Sequence, residues 1–101
     1  MMQTSNQFIY IFKPKRENFV QTMTQEEMMA FGAHSEYTKG LYTEGKIIFM
    51  GGCSNGAYGI VVFKAETNDE AQLIFNNDPA VKAGIVHAEL HPFQVTGIKE
   101  V

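Results

Sequence analysis

The chain has 101 residues, 45% of them apolar and 19% charged, which suits one small globular domain and leaves no room for a second. Eight basic against eleven acidic residues give a net charge of −3, and with no Lys/Arg cluster this excludes a nucleic-acid binder, which needs a basic surface to neutralise phosphates. A single cysteine, Cys53, excludes an intrachain disulfide framework and points to a reducing cytoplasm, and no apolar run approaches the roughly 20 residues that span a bilayer.

The first apolar run, Phe8 to Phe12, ends in Lys13-Pro14-Lys15. A signal peptide has the opposite order, basic residues first. Residues 7–13 read instead as a β-branched and aromatic strand stopped by Pro14, with Phe8, Tyr10 and Phe12 on one face and Ile9 and Ile11 on the other. A loop over 14–23 carries Arg16, Glu17 and Phe19. Thr24 to Glu27 has the form of a capping box, with Met23 and Met28 at the staple positions. The helix it opens spans about residues 25–44. Ala30, His34, Tyr37 and Leu41 recur on one stripe of it, and Gly45 follows as a C-terminal cap.

Lys46 to Met50 reads as a second strand, with Ile47 and Phe49 on one face and Ile48 and Met50 on the other. Gly51 to Gly56 is a connection rich in turn formers, where tight turning explains the glycines better than a dinucleotide fingerprint, because no helix follows. Tyr58 to Lys64 is a third strand: Tyr58, Ile60 and Val62 face one way, Val61 and Phe63 the other. Thr67 to Glu70 has the form of a second capping box, opening a helix to about Asn76. Asp78-Pro79 breaks that helix, Gly84 ends a short turn, and residues 85–95 form the last strand. The order βαββαβ in a chain of this size predicts a ferredoxin-like α+β sandwich, two helices covering one face of a four-stranded sheet. The first three strands are apolar on both faces, so a monomer would leave an apolar sheet face in water. This predicts a homodimer in which two sheets pack face to face.

His34 lies mid-helix on the stripe that faces the sheet, where a histidine is either a satisfied core residue or a placed acid/base group. As an acid/base it needs an orienting partner, typically a carboxylate on the second ring nitrogen. Asp78 is the best candidate, at the end of the second helix, and the competing role for it is to cap the turn that follows. His87, Glu89 and His91 alternate on one face of the last strand, a pattern that fits a polar rim better than a divalent-metal site. Cys53 reads as a small apolar residue before it reads as a nucleophile. Met23, Met28 and Met29, with Phe12, Phe31, Tyr37, Phe49 and Tyr58, read mostly as core, with some of the aromatics free to line an apolar pocket beside His34.

From Phe8 to Val95 the chain resembles the YCII-related (YciI-like) family. The first strand running into Lys13-Pro14-Lys15-Arg16, the helical segment from His34 to Gly45, and Gly59-Ile60-Val61-Val62-Phe63 match its pattern. The most specific stretch is Asn77-Asp78-Pro79-Ala80-Val81-Lys82-Ala83-Gly84, followed by Ala88 to Phe93, with Asp78 lying 44 residues after His34. The resemblance implies that residues 1–101 are a single YCII-related domain in a dimeric α/β barrel, with His34 and Asp78 as the catalytic pair. It implies a small-molecule enzyme of elimination (dehydrochlorinase-like) or isomerase type, or alternatively a non-catalytic small-ligand-binding barrel module. The family includes a dehydrochlorinase acting on chlorinated hydroxyquinols. No cofactor and no metal are expected. The expected partners are a second copy through the sheet face and a small apolar or aromatic ligand, with no nucleic acid and no membrane, in the cytoplasm. Many relatives carry Gly-Pro after the second strand, where this chain has Gly51-Gly52, so a looser loop is expected there and the resemblance does not carry over the family's pocket shape or substrate.

Overall fold

Alternation along the first strand sets the two faces of the fold. The computed structural model describes residues 6–99, so both ends of the expected 1–101 domain lie outside the described residues. The elements are β1 (Gln7–Pro14), a 3-10 turn (Val20–Thr22), α1 (Gln25–Thr43), β2 (Ile47–Gly52), β3 (Gly59–Lys64), α2 (Asn68–Asn76), the single turn α3 (Pro79–Lys82) and β4 (Val86–Phe93). The strands form one antiparallel sheet in the order β2-β3-β1-β4, the ferredoxin-like arrangement the sequence predicts. Phe8 and Tyr10 of β1 pair with Phe63 and Val61 of β3, and all four are buried on the helix-covered face. Leu41, Ile47, Ala71, Ile74 and Phe75 complete this core. The Tyr10 ring meets Phe63 and Phe75 edge-on at 5.8 and 5.3 Å between centroids, the geometry aromatic quadrupoles favour.

Local chemistry fixes both ends of α1. Thr24 Oγ1 accepts from the Glu27 N–H at 3.1 Å, and Glu27 Oε1 accepts from the Thr24 N–H at 2.8 Å, a complete capping box. Arg16 donates to both Glu27 oxygens, each at 2.8 Å, and lies over the Phe19 ring 4.8 Å from its centroid. The Arg16 hydrogen bonds, with the Thr24 N–H behind them, hold the Glu27 carboxyl down at about 2. The loop after β1 is thereby tied to the start of α1. At the far end the Gly45 N–H reaches Tyr42 O and the Lys46 N–H reaches Leu41 O, each at 3.0 Å, with Gly45 at φ +83°. That is the Schellman arrangement, and the left-handed residue it requires is the reason for glycine.

Four local expectations are corrected. A β-bulge between Ile47 and Phe49 puts Ile47 opposite Phe63 and Phe49 opposite Val62. An inserted residue breaks the two-residue period, so Ile47 enters the core, Phe49 moves to the opposite face, and Met50, opposite Val61, returns to the helix side. Gly51 and Gly52 also belong to β2 rather than to the connection after it. At α2, Thr67 accepts from the Glu70 N–H, but the Glu70 carboxylate turns to the Glu66 N–H at 2.6 Å, so this capping box is half made. Met28 and Met29 are largely exposed instead of filling the core.

The opposite sheet face is apolar on three strands and polar on the fourth. Ile9 pairs with Val62 and Ile11 with Ile60, beside Phe49. On the β4 side the same positions of β1 face His91 and Glu89, and Lys13 faces His87.

Gly59 pairs with Phe12, and a side chain at position 59 would overlap the Phe12 ring. A strand glycine here leaves room for the ring against the backbone. Gly59→Ala is expected to lower stability by roughly 1–3 kcal/mol, the usual cost of overpacking, measured by urea unfolding.

Candidate active site

α1 carries His34 across the sheet to the point where α3 begins. The break after α2 supplies its partner. Asp78 is extended (φ −64°, ψ 125°) and Pro79 starts α3, a placement that suits proline at the first helical position. The Asp78 side chain folds back over this turn and is fully buried. Oδ1 accepts from the Ala80 N–H at 2.9 Å, and the carboxylate takes His34 Nδ1 at 2.7 Å to Oδ2 and 2.9 Å to Oδ1. The two roles weighed for Asp78 are therefore compatible: one oxygen caps the turn while the carboxylate holds the imidazole.

A third donor meets the same carboxylate. The Tyr10 hydroxyl donates to Asp78 Oδ2 at 2.5 Å. The sequence reading missed Tyr10, although a signal was present. It is the one hydroxyl-bearing side chain on the Phe8-Tyr10-Phe12 face of β1, and a buried phenol needs a hydrogen-bond partner. Burial pushes the Asp78 carboxyl up, but the His34 and Tyr10 hydrogen bonds, the His34 charge and the Ala80 N–H outweigh it, leaving the group below its ordinary value. Tyr10 is driven far above the usual phenol range, first by burial and then by the Asp78 charge and hydrogen bond, so it stays a neutral donor. Tyr37 lies close enough to be raised by burial and by Asp78, and its hydroxyl donates to Ile74 O at 2.8 Å.

Two rings fix the plane of His34. Phe12 and Phe31 meet it edge-on, with centroids 4.9 and 5.9 Å away. Its side chain is 12% exposed. With Nδ1 on Asp78, Nε2 is the nitrogen left for a ligand, and among the described residues nothing hydrogen-bonds to it. His34 lines a cavity of about 440 Å³, walled by Phe12, Phe31, Met50, Val61 and Val86 and by the β2–β3 connection. Among the described residues, no Asp, Glu, Lys or Arg lines the cavity. Its polar side chains besides His34 are Ser35, Thr38, Cys53 and Tyr58. Val20, on the loop that Arg16 and Glu27 anchor, forms one edge, with its Cγ2 against Gly56 across the opening.

The other candidates lie apart from this pair or at its margin. Cys53 stands on the cavity wall, its backbone used in the turn: its N–H donates to Tyr58 O and its O accepts from the Gly56 N–H, each at 2.8 Å. Of the aromatic set, Phe12 and Tyr37 pack against the core, whereas Phe49 and Tyr58 are exposed. On β4, His91 Nε2 meets Glu89 Oε1 at 3.3 Å with both exposed, and among the described residues no cluster of three His, Cys, Asp or Glu is placed to hold a metal ion. No helix among them is long and apolar enough to cross a membrane.

A four-stranded antiparallel sheet, helices on one face, and a buried Asp–His pair opening on an apolar cavity define a ferredoxin-like α+β protein with a candidate acid–base site. The YCII-related domain model matches residues 8–94, and the chain belongs to that family. No curated protein matches the chain at significance. Among solved structures it is similar to 5-chloro-2-hydroxyhydroquinone dehydrochlorinase (TftG) from Burkholderia phenoliruptrix, in complex with 2,5-dihydroxybenzoquinone. The TM-score is 0.61 at 22% identity, over 86% of this chain and 93% of that one, which establishes a common fold.

Replacing Asp78 by Ala strips an acceptor from three buried or half-buried donors. Asp78→Ala is expected to cost about 3 kcal/mol in urea unfolding at neutral pH, the scale for leaving buried hydrogen-bond donors without their acceptor. Because the folded-state carboxyl lies below its unfolded value, its stabilisation is full above the unfolded value and is lost as pH falls through the folded one. The Ala variant is therefore expected to lose part of the acid-side slope of stability that the wild type shows.

Proposed function

We propose that this protein is a small-molecule enzyme of elimination or isomerisation type, with His34 as the general base and acid and Asp78 as the residue that orients it. The observation that carries this reading is the direction of the imidazole: Nδ1 is held by a buried carboxylate, which leaves Nε2 for the cavity. In that geometry Nε2 takes a proton from a carbon next to a carbonyl or enol. The freed electron pair forms a double bond. In an elimination a leaving group such as chloride departs with its bonding pair, and the products are the unsaturated ring, chloride and the proton on His34. In an isomerisation the imidazolium returns the proton to another carbon. Asp78 stabilises the imidazolium throughout without becoming protonated. This chemistry uses no cofactor.

The cavity supports an uncharged or weakly acidic ring as substrate. About 440 Å³ with a largely aromatic and aliphatic wall suits one ring, and among the described residues no fixed charge lines it to hold a phosphate or a carboxylate. The dehydrochlorinase TftG, whose structure contains 2,5-dihydroxybenzoquinone, is consistent with this class. One feature favours the alternative of a non-catalytic ligand-binding module: among the described residues, no carboxylate or amine joins His34 on the wall as a second proton carrier. The lone Cys53 fits a cytoplasmic setting.

We also infer a homodimer through the open sheet face, where Ile9, Ile11, Ile60 and Phe49 form a continuous apolar surface. Light scattering on purified protein is expected to give about twice the 11.3 kDa chain mass, and a mass of one chain would contradict the inference.

The functional test is a panel of chlorinated hydroxyquinols and unsaturated lactones. The wild type is expected to turn over at least one of them. His34→Ala should lower kcat by about 10²–10⁴-fold, the usual contribution of a placed acid/base, and Asp78→Asn should also lower it. Turnover that both variants retain would overturn the assignment, and a ligand that copurifies and is never converted would favour the binding module.

A further inference from the structure

The Tyr10 hydroxyl and His34 Nδ1 converge on one oxygen, Asp78 Oδ2, at 2.5 and 2.7 Å. The acceptor is fully buried, and each donor draws on the same carboxylate charge. Tyr10 touches the core on its other sides, against Phe63 and Phe75, and does not line the cavity. We propose that Tyr10 is a positioning residue that competes with His34 for Asp78 and thereby sets how much of the carboxylate's charge is felt by the imidazole.

The physical chain is short. A hydrogen bond from a phenol withdraws charge from the oxygen that accepts it. The Nδ1–H···Oδ2 bond is then weaker than it would be toward a carboxylate with no competing donor. Removing the hydroxyl concentrates the charge on His34, while strengthening it does the reverse. A purely structural role predicts neither response, because the ring and its edge-on contacts stay in both cases. This inference deepens the acid–base reading of His34, but its readout needs no substrate and so fails or succeeds independently of that reading.

The test is the proton resonance of the His34 Nδ1–H, observed by NMR in protein labelled with ¹⁵N-histidine. Tyr10→Phe is expected to move it downfield, as the His34–Asp78 bond tightens. Site-specific 3-fluorotyrosine at position 10, a stronger donor of nearly the same shape, is expected to move it upfield. Tyr37→Phe is the control: its hydroxyl lies nearby but donates to Ile74 O, so it should leave the resonance in place. If Tyr10→Phe does not fold, the fluorotyrosine protein alone decides the sign. An unmoved resonance, a shift in the same direction in both Tyr10 proteins, or an equal shift in Tyr37→Phe would overturn the proposal.

Discussion

The Asp78 carboxylate is the constraint on which the rest of the site depends. It is fully buried, yet it stays below its ordinary titration range because three donors converge on it. A charge in that position is tolerated only when every lone pair in reach is used. The donors come from three separate places in the chain: β1 supplies Tyr10, α1 supplies His34, and α3 supplies the Ala80 N–H. One side chain thus joins the sheet, the long helix and the helical break, and the site could not form without all three in register.

The elements around it serve that convergence. The Schellman end of α1 and its capping box fix the ends of the helix, so His34 sits at a defined height over the sheet. Gly59 lets Phe12 lie against the backbone, and Phe12 in turn meets the imidazole edge-on. The bulge in β2 turns Met50 back to the cavity side, which a regular strand would not have done. Arg16, stacked on Phe19 and paired with Glu27, holds the loop whose Val20 borders the opening. The cavity is shaped by backbone irregularities as much as by side-chain choice.

Much of this was legible in the sequence, because the signals were local and periodic. The strand of alternating aromatics, the Thr24-to-Glu27 box, the glycine after α1 and the Asp78-Pro79 break each have one physical interpretation, and the element order follows from them. His34 could be placed on the inward stripe by its spacing from Tyr37 and Leu41. The bulge was not legible, since Ile47 to Met50 offers apolar residues to both faces and either register buries something. Nor was the role of Tyr10, which depends on a carboxylate 68 residues away in the chain. The half-made box at Thr67 shows the limit of a four-residue motif: the Glu70 carboxylate takes the Glu66 N–H instead.

The central claim is that the buried carboxylate holds the imidazole in one tautomer, with the proton on Nδ1 and Nε2 open to the cavity. Long-range ¹H–¹⁵N NMR of the His34 ring in the neutral state tests it most directly. The account predicts a protonated Nδ1 and an Nε2 at the shift of an unprotonated nitrogen, and it predicts that Asp78→Asn loses this preference. A neutral His34 with its proton on Nε2 in the wild type would contradict it.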